Sequence, residues 1–396
     1  GCAEEKAWTL TTKFVILIPR RMKGRSISSK KQPLIQMLEI LHPCIKQGIR
    51  MTVLFVLLGT MGFSQSYWVK YGWQAFNNAG DARILSLGGA AVTDFGTSVS
   101  PLFNPAASGK VGIHNLNYTH QSRLAGMINS DLLGFPIQNF SRPLNLIIIH
   151  EGIDQIPDTR NILLDFGLDG VPGTGDIGEG NGTLDEGERL DEDKVKYFSQ
   201  RQLGLHLSTS WKNNNIEFGI AVKTLFHSIG EHTGSGIGLD FGVLAVPWKN
   251  GRLGLTIRDI TTSWQVWENG TVERFKPSVM TGISHSHQFS NFPVSISGMV
   301  NIVSDGGGKS IDDDINLGNH GANIRFGFNG VYDNKIALRL GRNTIGSTTG
   351  GIGLSWDNLS LDYAFLNEPT GSGLGVSHMV SLSINYGWIR GMIDRL

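Results

Sequence analysis

The chain has 396 residues, 52 of them glycine, and its 34 Lys and Arg balance its 34 Asp and Glu. The balance is uneven: residues 1–50 carry ten basic and three acidic side chains and residues 51–66 carry none, which leaves −7 for the remainder. An acidic body gives no electrostatic reason to bind nucleic acid. Both cysteines, Cys2 and Cys44, precede that body, which excludes disulfide and cysteine-based metal or redox chemistry from it.

Residues 45–66 have the order of a secretory signal peptide. Two basic residues precede an uncharged apolar run of 13 residues, and small serines close the segment. The run is too short to cross a bilayer as an anchor helix; a buried core helix is the alternative. We therefore predict that the mature chain begins near Tyr67. Residues 1–44 have no domain pattern, and we interpret them as an over-extended translation start.

Residues 67–110 are rich in Gly and Ala and lack any alternation of apolar and polar positions. Asp81 is well placed to cap a short helix that ends near Leu87. From residue 111 to residue 388 the pattern changes to runs of about ten residues with period two. In the last run, Val380, Leu382 and Ile384 alternate with small polar residues, which is typical of a strand with one apolar and one polar wall.

Fourteen such strands are predicted, and no apolar run of 18 or more residues competes with them. They lie near 111–120, 130–137, 143–150, 201–211, 216–226, 236–246, 252–260, 276–287, 292–303, 321–331, 335–342, 350–356, 359–366 and 378–388. The fold class is therefore all-β.

The connections between these strands are predicted to alternate between short and long. The long ones fall at 121–129, 151–200, 227–235, 261–275, 304–320, 343–349 and 367–377. An even strand number with short turns on one side and long loops on the other is typical of outer-membrane β-barrels. A soluble all-β protein is the alternative. The barrel predicts an outer-membrane location with lipid around it, both termini in the periplasm and the acidic loop at 151–200 outside the cell.

The bore of a fourteen-stranded barrel is too wide for wall side chains to fill. The small-residue segment 67–110 is therefore predicted to fold inward as a plug. It contains three short motifs: Gly80-Asp81-Ala82-Arg83, Leu87-Gly88-Gly89-Ala90 and Phe103-Asn104-Pro105-Ala106.

These motifs resemble the N-terminal signature of the PorV/PorQ family, which belongs to the FadL-like outer-membrane barrels. The resemblance implies fourteen strands and a lumenal plug whose motif residues are Gly88, Gly89, Asn104, Pro105 and Ala106. It also implies a non-enzymatic role in type IX secretion, with secreted cargo proteins or a sortase-like protein as partners. A FadL-like channel for hydrophobic compounds is the alternative. The tail 389–396 departs from the terminal aromatic residue usual in such barrels.

The strongest local chemical pattern is acidic. Residues 165–193 hold ten Asp and Glu and one Arg, interleaved with glycines. Ca²⁺ prefers six to eight oxygen ligands on a tightly turning backbone, so we predict a calcium loop. Its candidate ligands are Asp165, Asp169, Asp176, Glu179, Asn181, Asp185 and Glu188.

The match to an EF-hand loop is partial. With Gly182 at the sixth place, Asp185 and Glu188 fall at the ninth and twelfth. Ile177 falls at the first place and cannot ligate, so a gapped variant is needed. A solvated acidic loop is the alternative.

Two smaller sets of side chains bear on the barrel. Four arginines, namely Arg252, Arg258, Arg325 and Arg339, fall opposite apolar residues and are predicted to face the lumen. His285 and His287 share one strand face, where a lumenal or structural role is favoured over a metal site because no third ligand is apparent.

Overall fold

The computed structural model describes residues 65–69, 73–112, 115–137, 140–260, 262–304, 306, 308–309, 313–344, 346–367, 373 and 375–388. The predictions for residues 1–64 and 389–396 lie outside the described residues.

The secondary structure is almost entirely strand. The strands are β1 (Gln65–Val69), β2 (Asn115–Arg123), β3 (Ile128–Ile137), β4 (Leu144–Asp158), β5 (Leu163–Leu164), β6 (Arg189–Leu190), β7 (Lys196–Asn213), β8 (Ile216–Ile229), β9 (His232–Trp248), β10 (Gly251–Arg258), β11 (Ser263–Trp267), β12 (Thr271–Phe275), β13 (Ser278–Gln288), β14 (Val294–Ser304), β15 (Ile315–Leu317), β16 (His320–Tyr332), β17 (Ile336–Arg342), β18 (Thr348–Trp356), β19 (Leu359–Asn367) and β20 (Val376–Asn385). Two short helices are α1 (Gln74–Asn78) and α2 (Ala82–Leu85), and 3-10 turns span Ser100–Leu102, Pro105–Gly109 and Glu192–Lys194.

Fourteen of these strands form one closed antiparallel barrel. Each pairs with the next, in the order β2, β3, β4, β7, β8, β9, β10, β13, β14, β16, β17, β18, β19 and β20. The ring closes where β20 pairs with β2, from Asn115 opposite Asn385 to Ser122 opposite His378. The predicted fold class and strand number are confirmed.

The two faces of the wall differ in chemistry. On β20, Ser381 is 1% exposed on the inner face while its neighbour Val380 is 45% exposed on the outer face. The same alternation runs along β7, β8 and β9. A single closed sheet that is polar inside and apolar outside matches a wall with lipid around it, whereas a soluble sandwich buries its apolar faces between two sheets.

Among the described residues, no helix is both long and apolar enough to cross a membrane.

The connections divide the barrel into two rims, which we call the loop rim and the turn rim. The loop rim carries the residues at 159–195 and 259–277, and the turn rim carries tight turns such as 214–215 and 249–250. Two connections predicted to be long are short, because β2 and β3 continue to a turn at 124–127 and β8 and β9 continue to 230–231. The length alternation is thus less regular than predicted.

The acidic loop is also shorter than the predicted 151–200. Residues 151–158 and 196–200 belong to β4 and β7, which stay paired out to Asp158 opposite Lys196. Within the loop, β5 and β6 form a two-residue ladder of their own.

The connection predicted at 261–275 is a hairpin rather than a loop. β9 pairs with β10 near the turn rim and with β11 near the loop rim, so β11 and β12 extend the wall.

β1 lies parallel to β12, with Gln65 opposite Thr271. β1 therefore begins at the loop rim, while β20 ends at the turn rim. The termini of the mature chain lie outside the described residues, so a periplasmic position for both stays a prediction.

Residues 73–112, which we call the lumenal segment, cross the bore from β1 to β2. α2 contacts β18, β19 and β20, and the 3-10 turn Pro105–Gly109 contacts β7, β8 and β9 on the other side. Asp81 caps α2 by accepting from the Ile84 N–H at 2.7 Å, as predicted. The helix ends at Leu85, before the predicted Leu87.

Candidate functional site: the lumenal segment and the wall around it

Hydrogen bonds of 3.0 Å or shorter fix the lumenal segment to eight wall strands, namely β2, β3, β4, β7, β9, β10, β18 and β20. The bonds from the segment to the wall join Ala82 N to Ser381 Oγ (2.7 Å), Ser98 Oγ to the Gly134 carbonyl (2.7 Å), Ser108 Oγ to Ser208 Oγ (2.8 Å) and Asn104 Nδ2 to the Val243 carbonyl (3.0 Å). The bonds from the wall to segment carbonyls join Gln121 to Gly80, Asn145 to Ser98, Thr256 to Phe103, Arg258 to Leu102 and Thr349 to Ser86, at 2.7–3.0 Å. The segment is therefore held from all around the bore.

Glycines on the inner face of the wall allow the segment to approach the sheet. A Cβ on Gly219 would lie 2.2 Å from Ala106 N, and one on Gly341 would lie 2.4 Å from Gly88 N. Such distances exclude any side chain at these positions. Part of the glycine content of the chain thus reflects contact between backbone and backbone inside the barrel.

The glycine pair of the predicted plug motif makes a tight turn after α2. Gly88 and Gly89 have φ values of 67° and 70°, a region that residues with a Cβ adopt at a cost. A Cβ on Gly88 would also lie 2.2 Å from the Arg342 carbonyl oxygen of β17. The turn and the close approach explain why this position requires glycine.

Asn104 joins three parts of the site through one amide. Its Oδ1 accepts from the Ala106 N–H at 3.1 Å and so caps the 3-10 turn that Pro105 begins. Its Nδ2 donates to the Val92 carbonyl of the segment at 2.8 Å and to the Val243 carbonyl of the wall. The residue is fully buried, as is Ala106. The five predicted motif residues therefore lie at contacts between the segment and the wall.

The four predicted lumenal arginines all face inward. Arg258 and Arg339 are 5% and 7% exposed, and Arg339 pairs with Asp362 at 2.6 Å. The guanidinium of Arg252 lies 4.2 Å from the ring centre of Phe95, and Arg325 lies beside the Gly89 carbonyl. This prediction is confirmed.

A buried charge cluster lies behind α1, and sequence reasoning did not identify it. Lys223 Nζ lies 3.0 Å from an oxygen of Asp240 and 2.7 Å from one of Asp259. The ammonium also lies over the rings of Trp73 and Phe76, at 5.4 and 5.7 Å from their centres. The sequence offered one indication of this cluster, since a lysine and an aspartate fall on the inner faces of adjacent predicted strands.

A cavity of about 320 Å³ lies between the segment and the wall near the loop rim. Its apolar side includes Leu85, Phe103 and Met379, and its cationic side includes Arg123 and Arg325. Arg123 is paired with Glu151 of β4. The cavity can accommodate a small molecule with an apolar body and an anionic group.

His285 and His287 do not line the lumen. They lie on the outer face of β13 with Val279 and Ile283, which are 42% and 45% exposed. A lumenal position is therefore wrong, because odd-numbered residues of this strand point away from the bore.

The candidate calcium ligands lie together in the acidic loop but bind its backbone. Asp165 accepts from the N–H groups of Gly182 and Gly180, both at 2.7 Å, and these donors lower the pKa of its carboxyl below the usual value. The remaining bonds join Glu188 to Gly167 and Asp185 (both 2.9 Å), Asp176 to the Asp169 N–H (2.8 Å), Glu179 to the N–H groups of Gly173 and Gly175, and the side chain of Asn181 to Asp185.

This arrangement does not by itself form a metal site. Among the described residues, no three His, Cys, Asp or Glu side chains are grouped so that they could hold a metal ion. The loop turns repeatedly through glycines with positive φ, including Gly167, Gly178 and Gly182. Calcium binding stays a prediction.

No protein-family model and no curated protein matches this chain. Solved structures that this chain matches include the toluene transporter TodX of Pseudomonas putida, at 12% identity and a TM-score of 0.46 over 78% of this chain and 98% of that one. The monoaromatic hydrocarbon channel CymD follows at 11% identity and 0.43, over 76% and 95%. A Pseudomonas aeruginosa FadL homologue has 13% identity and 0.37, over 76% and 96%. The assignment as a closed fourteen-stranded barrel rests on the strand pairing.

Proposed function

We propose that the protein is a non-enzymatic outer-membrane barrel of the PorV/PorQ type that holds secreted proteins at the cell surface in association with type IX secretion. The observation that carries this proposal is the anchoring of the lumenal segment to eight wall strands. Releasing the segment would leave many buried polar groups unpaired, at about 1–3 kcal/mol each. A barrel closed in this way presents its loops, rather than a pore, as the functional surface.

The loop rim supplies such a surface. It carries the 159–195 connection, whose carboxylates bind its own backbone and brace it as a unit. Long connections face outward in outer-membrane barrels and short ones face the periplasm. We therefore infer that the acidic loop lies outside the cell.

The test is a pull-down of the native, detergent-extracted protein in calcium, with bound proteins identified by mass spectrometry. A matched variant replaces residues 165–188 by Asn-Gly, a two-residue turn that suits the paired ends of β5 and β6. We expect secreted proteins with a common C-terminal domain, or a sortase-like protein, to be retained by the native chain and lost from the variant. Recovery of the barrel alone from the native chain would contradict the proposal.

The second candidate is a FadL-like channel for small hydrophobic compounds. The cavity beside Leu85, Phe103 and Met379 favours it, because it offers an apolar surface near the loop rim. A channel requires the lumenal segment to move. Flux of a small aromatic acid through liposomes that contain the purified protein, above the flux through empty liposomes, would support this candidate over the first.

A further inference from the structure

A groove of about 550 Å³ lies on the outer face of the wall, toward the turn rim. It crosses β13, β14, β16 and β17, and its lining is predominantly apolar. The larger side chains along it are His285, His287, Ile296, Phe328, Leu338 and Leu340. Its volume falls in the range of small-molecule sites, about 300–1,000 Å³.

Two glycines create the groove. One rung across the four strands reads His285, Gly298, Phe328 and Leu340, and the next reads His287, Ile296, Gly330 and Leu338. Each rung therefore lacks one side chain, at adjacent places in the sheet.

Neither glycine is required by the backbone or by packing. A Cβ on Gly330 would meet no atom within 4 Å, and one on Gly298 would meet only Phe328 at 3.5 Å, an ordinary contact. This differs from the inner-face glycines such as Gly219, where the lumenal segment leaves no room. The consequence of glycine at 298 and 330 is open space on the outer face.

One end of the groove is polar and lies near the turn rim. Trp248 Nε1 donates to His285 Nδ1 at 3.2 Å, so the other nitrogen of that imidazole, Nε2, carries the proton. The next turn contains Lys249, and the Ser286 N–H donates to the Asn250 carbonyl at 3.0 Å, which holds this turn beside β13. Two imidazoles therefore lie at the end of the groove beside the 249–250 turn.

We propose that this groove binds one acyl chain of a glycerophospholipid, with the lipid phosphate near His285 and His287. The chemistry along the groove indicates the occupant. Most of the groove is apolar and opens onto the bilayer, and one end carries hydrogen-bond donors at the membrane interface. A phospholipid has the same sequence of groups, an acyl chain followed by a phosphate. Trp248 and the 66% exposed Phe292 mark that interface, since aromatic side chains concentrate there. The proposal depends on the wall facing lipid, and it is independent of what the loop rim binds.

The test is native mass spectrometry of the full chain in detergent, first as extracted and then after delipidation and titration with phosphatidylglycerol or with palmitate. Gly330→Leu fills the groove at a position where the fold has room. Thr224→Leu adds similar apolar bulk on the outer face of β8 and serves as the control. Heat-modifiable migration on a gel verifies that each variant is folded.

We expect the native chain and Thr224→Leu to retain a phospholipid, and Gly330→Leu to bind phosphatidylglycerol roughly tenfold more weakly, since about 1.4 kcal/mol of apolar contact is lost. His285→Gln with His287→Gln should weaken phosphatidylglycerol binding and leave palmitate binding unchanged. Equal phosphatidylglycerol affinity for native chain and Gly330→Leu would overturn the proposal. A bound protein, rather than a bound lipid, that is present on the native chain and absent from Gly330→Leu would also overturn the proposal.

Discussion

Asn104 of the lumenal segment lies where Gly242 of the wall has no side chain. A Cβ on Gly242 would be 2.0 Å from Asn104 Oδ1, and the same amide donates from Nδ2 to the carbonyl of the next wall residue, Val243. The absence of one side chain in the sheet and the presence of one amide in the segment are thus parts of a single contact. The contact can be tested from either side, by adding a side chain at Gly242 or by removing the amide of Asn104.

Gly242→Val should displace the lumenal segment from β9. The valine side chain requires the space of Asn104 and Pro105, so the 3-10 turn cannot remain docked. We expect ion conductance in planar bilayers to rise and the thermal unfolding midpoint to fall by several degrees. Gly330→Ala is the control, because its Cβ meets no atom within 4 Å. Unchanged conductance and unchanged midpoint together would mean that this contact does not hold the segment.

Asn104→Ala should destabilise the folded barrel without adding bulk. It leaves the Val92 and Val243 carbonyls and the Ala106 N–H without the partner they have now. The expected loss in the free energy of unfolding is at least about 1–3 kcal/mol, the cost of one buried group left unsatisfied. Urea unfolding in lipid vesicles measures it, with the exposed Asn316→Ala as the matched control. Equal unfolding midpoints for the two variants would contradict the role given to Asn104.

The contribution of the charge cluster behind α1 to the stability of the barrel should depend on all of its charged members. Lys223→Met removes the ammonium that contacts both Asp240 and Asp259, and breaking a buried pair in this way costs about 3–5 kcal/mol. Adding Asp240→Asn and Asp259→Asn removes the stranded charges, so the triple variant should be more stable than Lys223→Met. The comparison uses the same urea measurement. A triple variant less stable than the single one would show that the carboxylates stabilise the barrel by other contacts.

The wall could be predicted from the sequence because its information is local. Strand period, and therefore which of Val380 and Ser381 points out of the barrel, is set by neighbours in the chain. The pairing of β1 with β12 could not be predicted from the sequence, because Gln65 and Thr271 are distant in the chain and no local pattern links them. Asn104 was singled out by its motif, yet its contact with Gly242 depends on how the segment crosses the bore.

The acidic loop provides the last prediction, that calcium protects it from proteolysis. Both oxygens of Asp165 accept hydrogen bonds from backbone N–H groups, one from Gly180 and one from Gly182. Ca²⁺ would compete for those oxygens, and a bound ion would order the glycine turns between the ligands. Limited proteolysis of the full chain in detergent, with calcium or with a chelator, should therefore differ in the cleavage rate within residues 165–190.

The ligand variant Asp165→Asn combined with Glu188→Gln should abolish that difference, because both residues belong to the predicted ligand set. Lys335→Gln, at a turn on the opposite rim, should retain it. Magnesium provides a second comparison: its smaller radius and strict octahedral geometry make it a poor substitute in a flexible loop of carboxylates. Cleavage that is the same in calcium, magnesium and chelator would mean that the carboxylates serve only to brace the loop through its own backbone.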